Sequence, residues 1–303
     1  MELASTLPTP AKIGSTFCNC STPRARNRVQ CTSTAQATRT LELELTYLEG
    51  NSWLWRVSGV SILVDPVLVG NLDFGVPFLY DGAKKNLHKL KLDELGDVDC
   101  LLITQSLDDH CHKRTLEPLS KIYPQLQVIA TPNAEPILSK IFKQVTYIEP
   151  GQETSFRASS KSSLKVTASA GPVLGPPWQR PENGYFVETS DPNARIYIEP
   201  HCVFDRKLLQ GKTADVVITP VIQQKLPLFT LVSGQEDAVE LAKTLQPRYV
   251  VPMNNGDLDA KGILAKLLVE VGTVESFKTS LKEVAPRTQV VEPTPGIPLH
   301  LTL

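Results

Sequence analysis

A chain of 303 residues and 33.3 kDa has room for one large domain or two small ones, and 41% hydrophobic content suffices for a sizeable core. Thirty-one basic against 32 acidic residues leave a net charge of −1, which offers no basic stripe for nucleic acid. No apolar run reaches the roughly 18 residues of a membrane-crossing helix, so no membrane span is expected. Six cysteines in a chain this long do not make a disulfide scaffold.

Residues 1–40 differ from everything after them. They are rich in serine and threonine, carry Lys12, Arg24, Arg26, Arg28 and Arg39, and hold Glu2 as their sole acid. Hydroxyl-rich, arginine-bearing and acid-poor is the composition of an organelle transit peptide, and the apolar core of a secretory signal is missing. Arg28-Val29-Gln30-Cys31 resembles a stromal processing site. The expectation is a plant plastid leader cleaved near Cys31, a mature protein in the chloroplast stroma, and one folded domain over 41–303. A merely disordered tail is the alternative that this composition also permits.

From residue 41 on, short β-rich runs alternate with helical ones. Runs rich in Val, Ile, Leu and Tyr predict strands at Leu43–Leu48, Trp53–Val57, Ser61–Val64, Cys100–Thr104, Val128–Thr131 and Val145–Glu149. A second series follows at Leu164–Ala168, Tyr185–Glu188, Ile196–Glu199, Val216–Thr219 and Tyr249–Pro252. Gly50-Asn51, Ser58-Gly59 and Asp191-Pro192-Asn193 read as turns between them. Apolar residues at three-to-four spacing predict helices over Thr115–Ile122, Ala134–Phe142, Gln235–Leu245, Lys261–Val271 and Ser276–Val284. Gly272 reads as a stop for the fourth. The pattern is that of one layered α/β domain.

Four strand ends carry chemistry. Cys100–Thr104 runs into Gln105-Ser106-Leu107-Asp108-Asp109-His110-Cys111-His112, two acids and two imidazoles opening a loop, where α/β folds commonly place reactive groups. Carboxylate beside imidazole suits a metal, whereas Asp108 or Asp109 capping a helix that starts near Lys113 is the structural alternative. Ser61–Val64 ends in Asp65-Pro66, either a turn or a carboxylate supporting a ligand. Ile196–Glu199 ends in Pro200-His201-Cys202, and Tyr249–Pro252 leads through Met253 into Asn254-Asn255-Gly256-Asp257.

The order of these segments resembles the metallo-β-lactamase superfamily, in particular its UlaG-like metallo-hydrolase branch, over residues 41–300. The resemblance implies a four-layer αββα sandwich. Thr104–His110 lines up with that family's Thr-His-x-His-x-Asp-His motif, Asp65-Pro66 with the end of its opening meander, and Glu199-Pro200-His201 with its Gly-Asp-Thr. Asn254 stands where a final histidine is usual. A plant and cyanobacterial group of metallo-hydrolase-like proteins shares the Pro176–Tyr185 segment.

Departures from that pattern carry the functional expectation. Gln105 and Leu107 occupy the first two histidine positions, and Ala170-Gly171-Pro172 lacks the third, so the resemblance implies that the first metal site has lost its ligands. For the second site Asp109 and His110 remain, Glu199 or His201 completes the set, Asn254 offers a carbonyl oxygen, and Asp65 supports from behind. Such a mixed nitrogen and oxygen site suits one Zn²⁺, Mn²⁺ or Fe²⁺ without strong preference. The expected function is a one-metal hydrolase of a small-molecule substrate. The alternative is a metal-free pseudoenzyme that binds a stromal protein, through a Pro172–Tyr185 loop whose Trp178 and Arg180 are of interface type or whose Trp178 packs on the core. A third reading uses Asp109 and His110 as an acid–base pair for Cys111 or Cys202. His112 and Cys111 are substitute ligands only if they do not diverge from His110 on a helix.

Overall fold

A computed structural model describes residues 41–158, 162–176, 178–190, 193–254 and 258–303. The expected leader with its cleavage point near Cys31 lies outside these residues, as do Asp191-Pro192 and Asn255–Asp257. The first half runs β1 (Glu42–Tyr47), β2 (Trp53–Val57), β3 (Val60–Val64), β4 (Asp81–Lys84), β5 (Cys100–Ile103), α1 (Lys113–Ile122), β6 (Gln127–Ala130), α2 (Glu135–Leu138) and β7 (Gln144–Tyr147). The chain continues through β8 (Glu153–Arg157), β9 (Ser163–Ala170), β10 (Asn183–Thr189), β11 (Arg195–Ile198), α3 (Arg206–Leu209), β12 (Val216–Pro220), β13 (Gln223–Leu226), β14 (Phe229–Val232) and α4 (Glu236–Leu245). Last come β15 (Tyr249–Met253), β16 (Leu258–Lys261), α5 (Ile263–Leu267), β17 (Val269–Val271), α6 (Val274–Val284), β18 (Gln289–Val290) and β19 (Pro298–Thr302).

Two seven-stranded sheets result, ordered β19-β1-β2-β3-β5-β6-β7 and β18-β15-β12-β11-β10-β9-β8. Each is antiparallel along one part and parallel along the other, with the change at β3–β5 and at β11–β12. Alternation along the strands decides which face goes where. Ile62 and Leu102 point between the sheets, where Trp55, Val166, Tyr185, Ile196 and Ile218 join them. Leu63, Leu101 and Ile103 point the other way, onto Leu116, Leu119 and Leu138 of α1 and α2. On the far side Tyr197, Val217 and Val250 meet Leu241 and Leu245 of α4 and Phe277 and Leu281 of α6. Helix, sheet, sheet, helix is the αββα sandwich.

Two expected helices are corrected. Ala134–Phe142 is helical only over Glu135–Leu138, after a 3-10 turn at Pro132–Ala134. Lys261–Val271 breaks into the end of β16, the five-residue α5 and β17, and Gly272 (φ 83°) follows a strand. Apolar residues three and four apart there do not share one buried face: Ile263 and Leu267 are exposed, whereas Leu264 and Leu268 line a cavity. Val269 and Val271 alternate along β17, which pairs with β13 beside β14.

Candidate metal centre

The polar groups converge where β3, β5 and β11 end and where β1 turns into β2. Asp65 follows β3 with φ 44° and is fully buried; short polar residues tolerate that left-handed backbone better than branched ones. Its Oδ1 accepts the Thr104 backbone N–H at 2.8 Å and its Oδ2 accepts the Thr104 hydroxyl. The same Oδ2 lies 2.8 Å from Nδ1 of His110. A carboxylate on Nδ1 places that nitrogen's proton and turns Nε2 toward the opposite side, the usual arrangement behind a ligating histidine.

On that side, Nε2 of His110 is 3.3 Å from Oδ2 of Asp109 and 2.9 Å from the Asn51 side-chain amide, which also reaches the Asp109 carboxylate at 3.3 Å. The His201 ring lies with its centre 5.3 Å from that of His110. One ligand atom each from Asp109, His110 and His201 fall within 4.8 Å of one another. Gln105 is buried with its amide nitrogen against Nδ1 of His201. Burial opposes charge on His110, but the carboxylates of Asp109 and Asp65 outweigh it and push its pKa up to about 10. Burial and the neighbouring His110 push His201 down to about 3. One imidazole is thus charged and the other neutral when no cation is bound, which limits repulsion between them.

The remaining sequence candidates fall elsewhere. Glu199 turns back on its own loop, where Oε2 accepts the backbone N–H groups of His201 at 3.1 Å and Val203 at 2.6 Å. Its other side faces glycines, since a Cβ on Gly171 would stand 3.2 Å from Oε1 and one on Gly184 3.0 Å from Cγ. Burial pushes Glu199 up to about 8. Between Glu199 and His201, therefore, His201 joins the cluster and Glu199 braces the loop that carries it. Asn254 accepts from the Tyr47 hydroxyl at 2.9 Å through its backbone oxygen and from Gln224, which lines the cavity beside Asp109 and His201, at 3.4 Å through its side chain.

Leu107 is exposed at 45% and meets nothing in the cluster. His112 precedes α1 with Nδ1 2.9 Å from the Thr115 hydroxyl, while Asp108 accepts the Lys113 backbone N–H. The helix start thus uses Asp108, and Asp109 is left to the cluster. Cys111 packs in the outer core against α1, Cys202 packs beneath α4, and burial pushes both thiols up, Cys111 to about 12. Neither joins Asp109 and His110, so the cysteine-nucleophile reading is dropped. Trp178 is 85% exposed and does not pack on the core.

The sequence reading missed Asn51, Lys84 and Tyr80. Asn51 sits in a Gly-Asn pair that signals a turn and nothing more. With Asp109 and His201, these three line a cavity of about 260 Å³ whose walls come from β13, β14, β16 and α5.

The family described as Beta-lactamase superfamily domain matches residues 44–254. The chain belongs to this family. Solved structures of the superfamily fold agree with the architecture. A metallo hydrolase from the archaeon Ignicoccus hospitalis is 16% identical with a TM-score of 0.60, over 86% of this chain and 98% of that one. An isothiocyanate hydrolase from Delia radicum gut bacteria is 17% identical with a TM-score of 0.56, over 84% and 98%. A diiron β-hydroxylase from Streptomyces venezuelae is 17% identical with a TM-score of 0.55, over 87% of this chain and 54% of that one. At such identities the likeness establishes the superfamily fold. No curated protein matches the chain.

The donor set of this superfamily member fits a divalent cation. Asp109 Oδ1 is a buried carboxylate oxygen with no hydrogen-bond partner among the described residues. An orphaned buried acceptor is costly, and a carboxylate oxygen left so beside two imidazoles fits a missing positive partner. Two imidazoles and a carboxylate are ligands that Zn²⁺, Mn²⁺ and Fe²⁺ all accept.

Proposed function

We propose that the protein is a hydrolase of the UlaG-like branch that works with one divalent cation, held by Asp109, His110 and His201, on a small-molecule substrate. The convergence of those three ligand atoms, with Asp109 Oδ1 unpartnered and Asp109 and His201 lining a cavity, carries this reading. A cation in such a site polarises a carbonyl or phosphoryl oxygen and lowers the pKa of a water. Asp65 fixes the tautomer and aim of His110. Gln105 does the same for His201: with its oxygen turned to Nδ1 it accepts that proton and leaves the Nε2 lone pair free. The Asn51 amide offers donors beside Asp109, and the apolar walls keep bulk water from weakening these interactions. With Gln105 and Leu107 in the first two motif positions, the second cation of a dinuclear centre has no ligands here. We assign the mature protein to the plastid stroma as part of the same proposal, supported by the arginine- and hydroxyl-rich, acid-poor composition of residues 1–40.

The test is metal content by plasma mass spectrometry on the purified full-length chain, beside an Asp109→Ala/His201→Ala variant. About one equivalent per chain, lost in the variant, is expected. A folded protein that holds none overturns the proposal and leaves the binding-scaffold reading, with exposed Trp178 as its first contact candidate.

A further inference from the structure

The cavity that reaches Asp109 and His201 is unlike its polar floor. Leu72, Phe74, Leu226, Phe229, Leu231 and Leu268 are among its lining residues, so its walls are almost wholly apolar. Several are left open to solvent: Phe74 is 41% exposed, Phe229 57% and Leu231 38%. Three of the four residues of β14 are exposed, on a small sheet that stands apart from the two large ones. A strand whose apolar side chains face an open cavity gains nothing from the core, and apolar area kept in water is the driving force for an apolar ligand.

The floor has a different character. Beside Asp109 and His201 it carries the Asn51 and Gln224 amides and the Lys84 ammonium. Lys84 donates to the Leu48 and Glu49 backbone oxygens, the second at 3.3 Å, so one of its three N–H bonds remains. It forms no ion pair among the described residues, because the Glu49 carboxylate is taken by the Asn86 and Leu87 backbone and the Asn86 amide. Of the two acids that line the cavity, Glu49 is held by the Asn86 and Leu87 donors, and Asp109 lies 3.3 Å from His110. Burial lowers Lys84 only to about 8, so it is charged at neutral pH.

We propose that this cavity takes a single acyl chain along its β14 and α5 walls, with a hydrogen-bond-accepting head, a carboxylate or carbonyl, at the Lys84 end of the floor beside Asp109 and His201. The substrate class is thus an acyl compound with an apolar body. That this ligand is also a substrate rests on the one-cation reading above; that it binds does not.

Calorimetric titration of the full-length chain with decanoate, methyl decanoate and decylammonium separates the two. Decanoate is expected to bind best, methyl decanoate less well and decylammonium not measurably, with a negative heat-capacity change for apolar burial. Leu231→Asp places a charge in the wall and is expected to weaken decanoate roughly tenfold or more, while metal content stays that of the wild type. Lys84→Met is expected to remove the preference of decanoate over methyl decanoate. Equal binding of decanoate and decylammonium, unchanged binding in a folded Leu231→Asp protein, or no decanoate binding by a folded wild type overturns the proposal. Decanoate binding by a protein that holds no metal keeps the acyl cavity and removes the hydrolase.

Discussion

Asp65 does three things with one carboxylate: it accepts the Thr104 N–H and the Thr104 hydroxyl, and it holds Nδ1 of His110. Asp65→Asn keeps the volume but withdraws the charge that orients the imidazole. Metal affinity is expected to fall by about 10- to 100-fold, read by competition with a chromophoric chelator, and an unchanged affinity would detach Asp65 from the site. Lys84 carries a pH signature of its own. Burial lowers its pKa from 10.5 to about 8, against the pull of Glu49. Between those values the unfolded chain binds more protons at this position than the folded one, so Lys84 makes stability rise with pH across that window. In Lys84→Met the urea midpoint is expected to follow a flatter curve from pH 8 to 10.5 than in the wild type.

At the scale of elements, β10 shows how the second sheet supports the metal cluster without touching it. Gly184 lies under Glu199, and a Cβ there would stand 2.8 Å from Ser169 Oγ and 3.0 Å from the Ile198 carbonyl. Because one of those neighbours is backbone of the adjacent strand, Gly184→Ala cannot be absorbed by a rotamer change alone. A loss of about 1–3 kcal/mol in denaturant unfolding is expected, with weaker metal binding as Glu199 shifts the His201 loop. Most strands of the two large sheets were legible in the sequence because runs such as Trp53–Val57 and Val216–Pro220 bury nearly every side chain, whereas the edge strands β8, β18 and β19, short or largely exposed, were missed. β13, β14 and β17 were not, since Gln223–Leu226 is mostly polar and the Ile263–Val271 segment carries a spacing that a helix and two cavity walls both satisfy. Asp109 and His110 could be found from their place after a buried strand. Asn51 and Lys84 could not, because their roles come from a turn and from β4, which pairs with the distant β16, meeting at one cavity, which no local pattern encodes.

At the scale of the whole molecule, β1 is an inner strand, paired with β2 on one side and with β19 on the other, Glu42 opposite Thr302. Removing residues 296–303 would turn β1 into an edge and strip Leu301 from the core between the sheets. The truncated chain is expected to unfold at lower urea concentration and to self-associate in light scattering, as unpaired hydrogen-bonding edges do. The two halves of the sandwich each contribute to the metal cluster, Asp109 and His110 from the first sheet's loops and His201 from the second's, so loss of metal and loss of sheet packing should coincide in that variant.

The pairing of β1 with β19 also sets a timetable. About 260 residues separate the partners, and at cellular synthesis rates that gap takes on the order of tens of seconds to fill. For that interval the nascent chain holds β1, with Leu43, Leu45 and Tyr47 on its apolar face, with one open flank, a standing invitation to chaperones that shelter such flanks. The first sheet is finished only when residue 302 has been made.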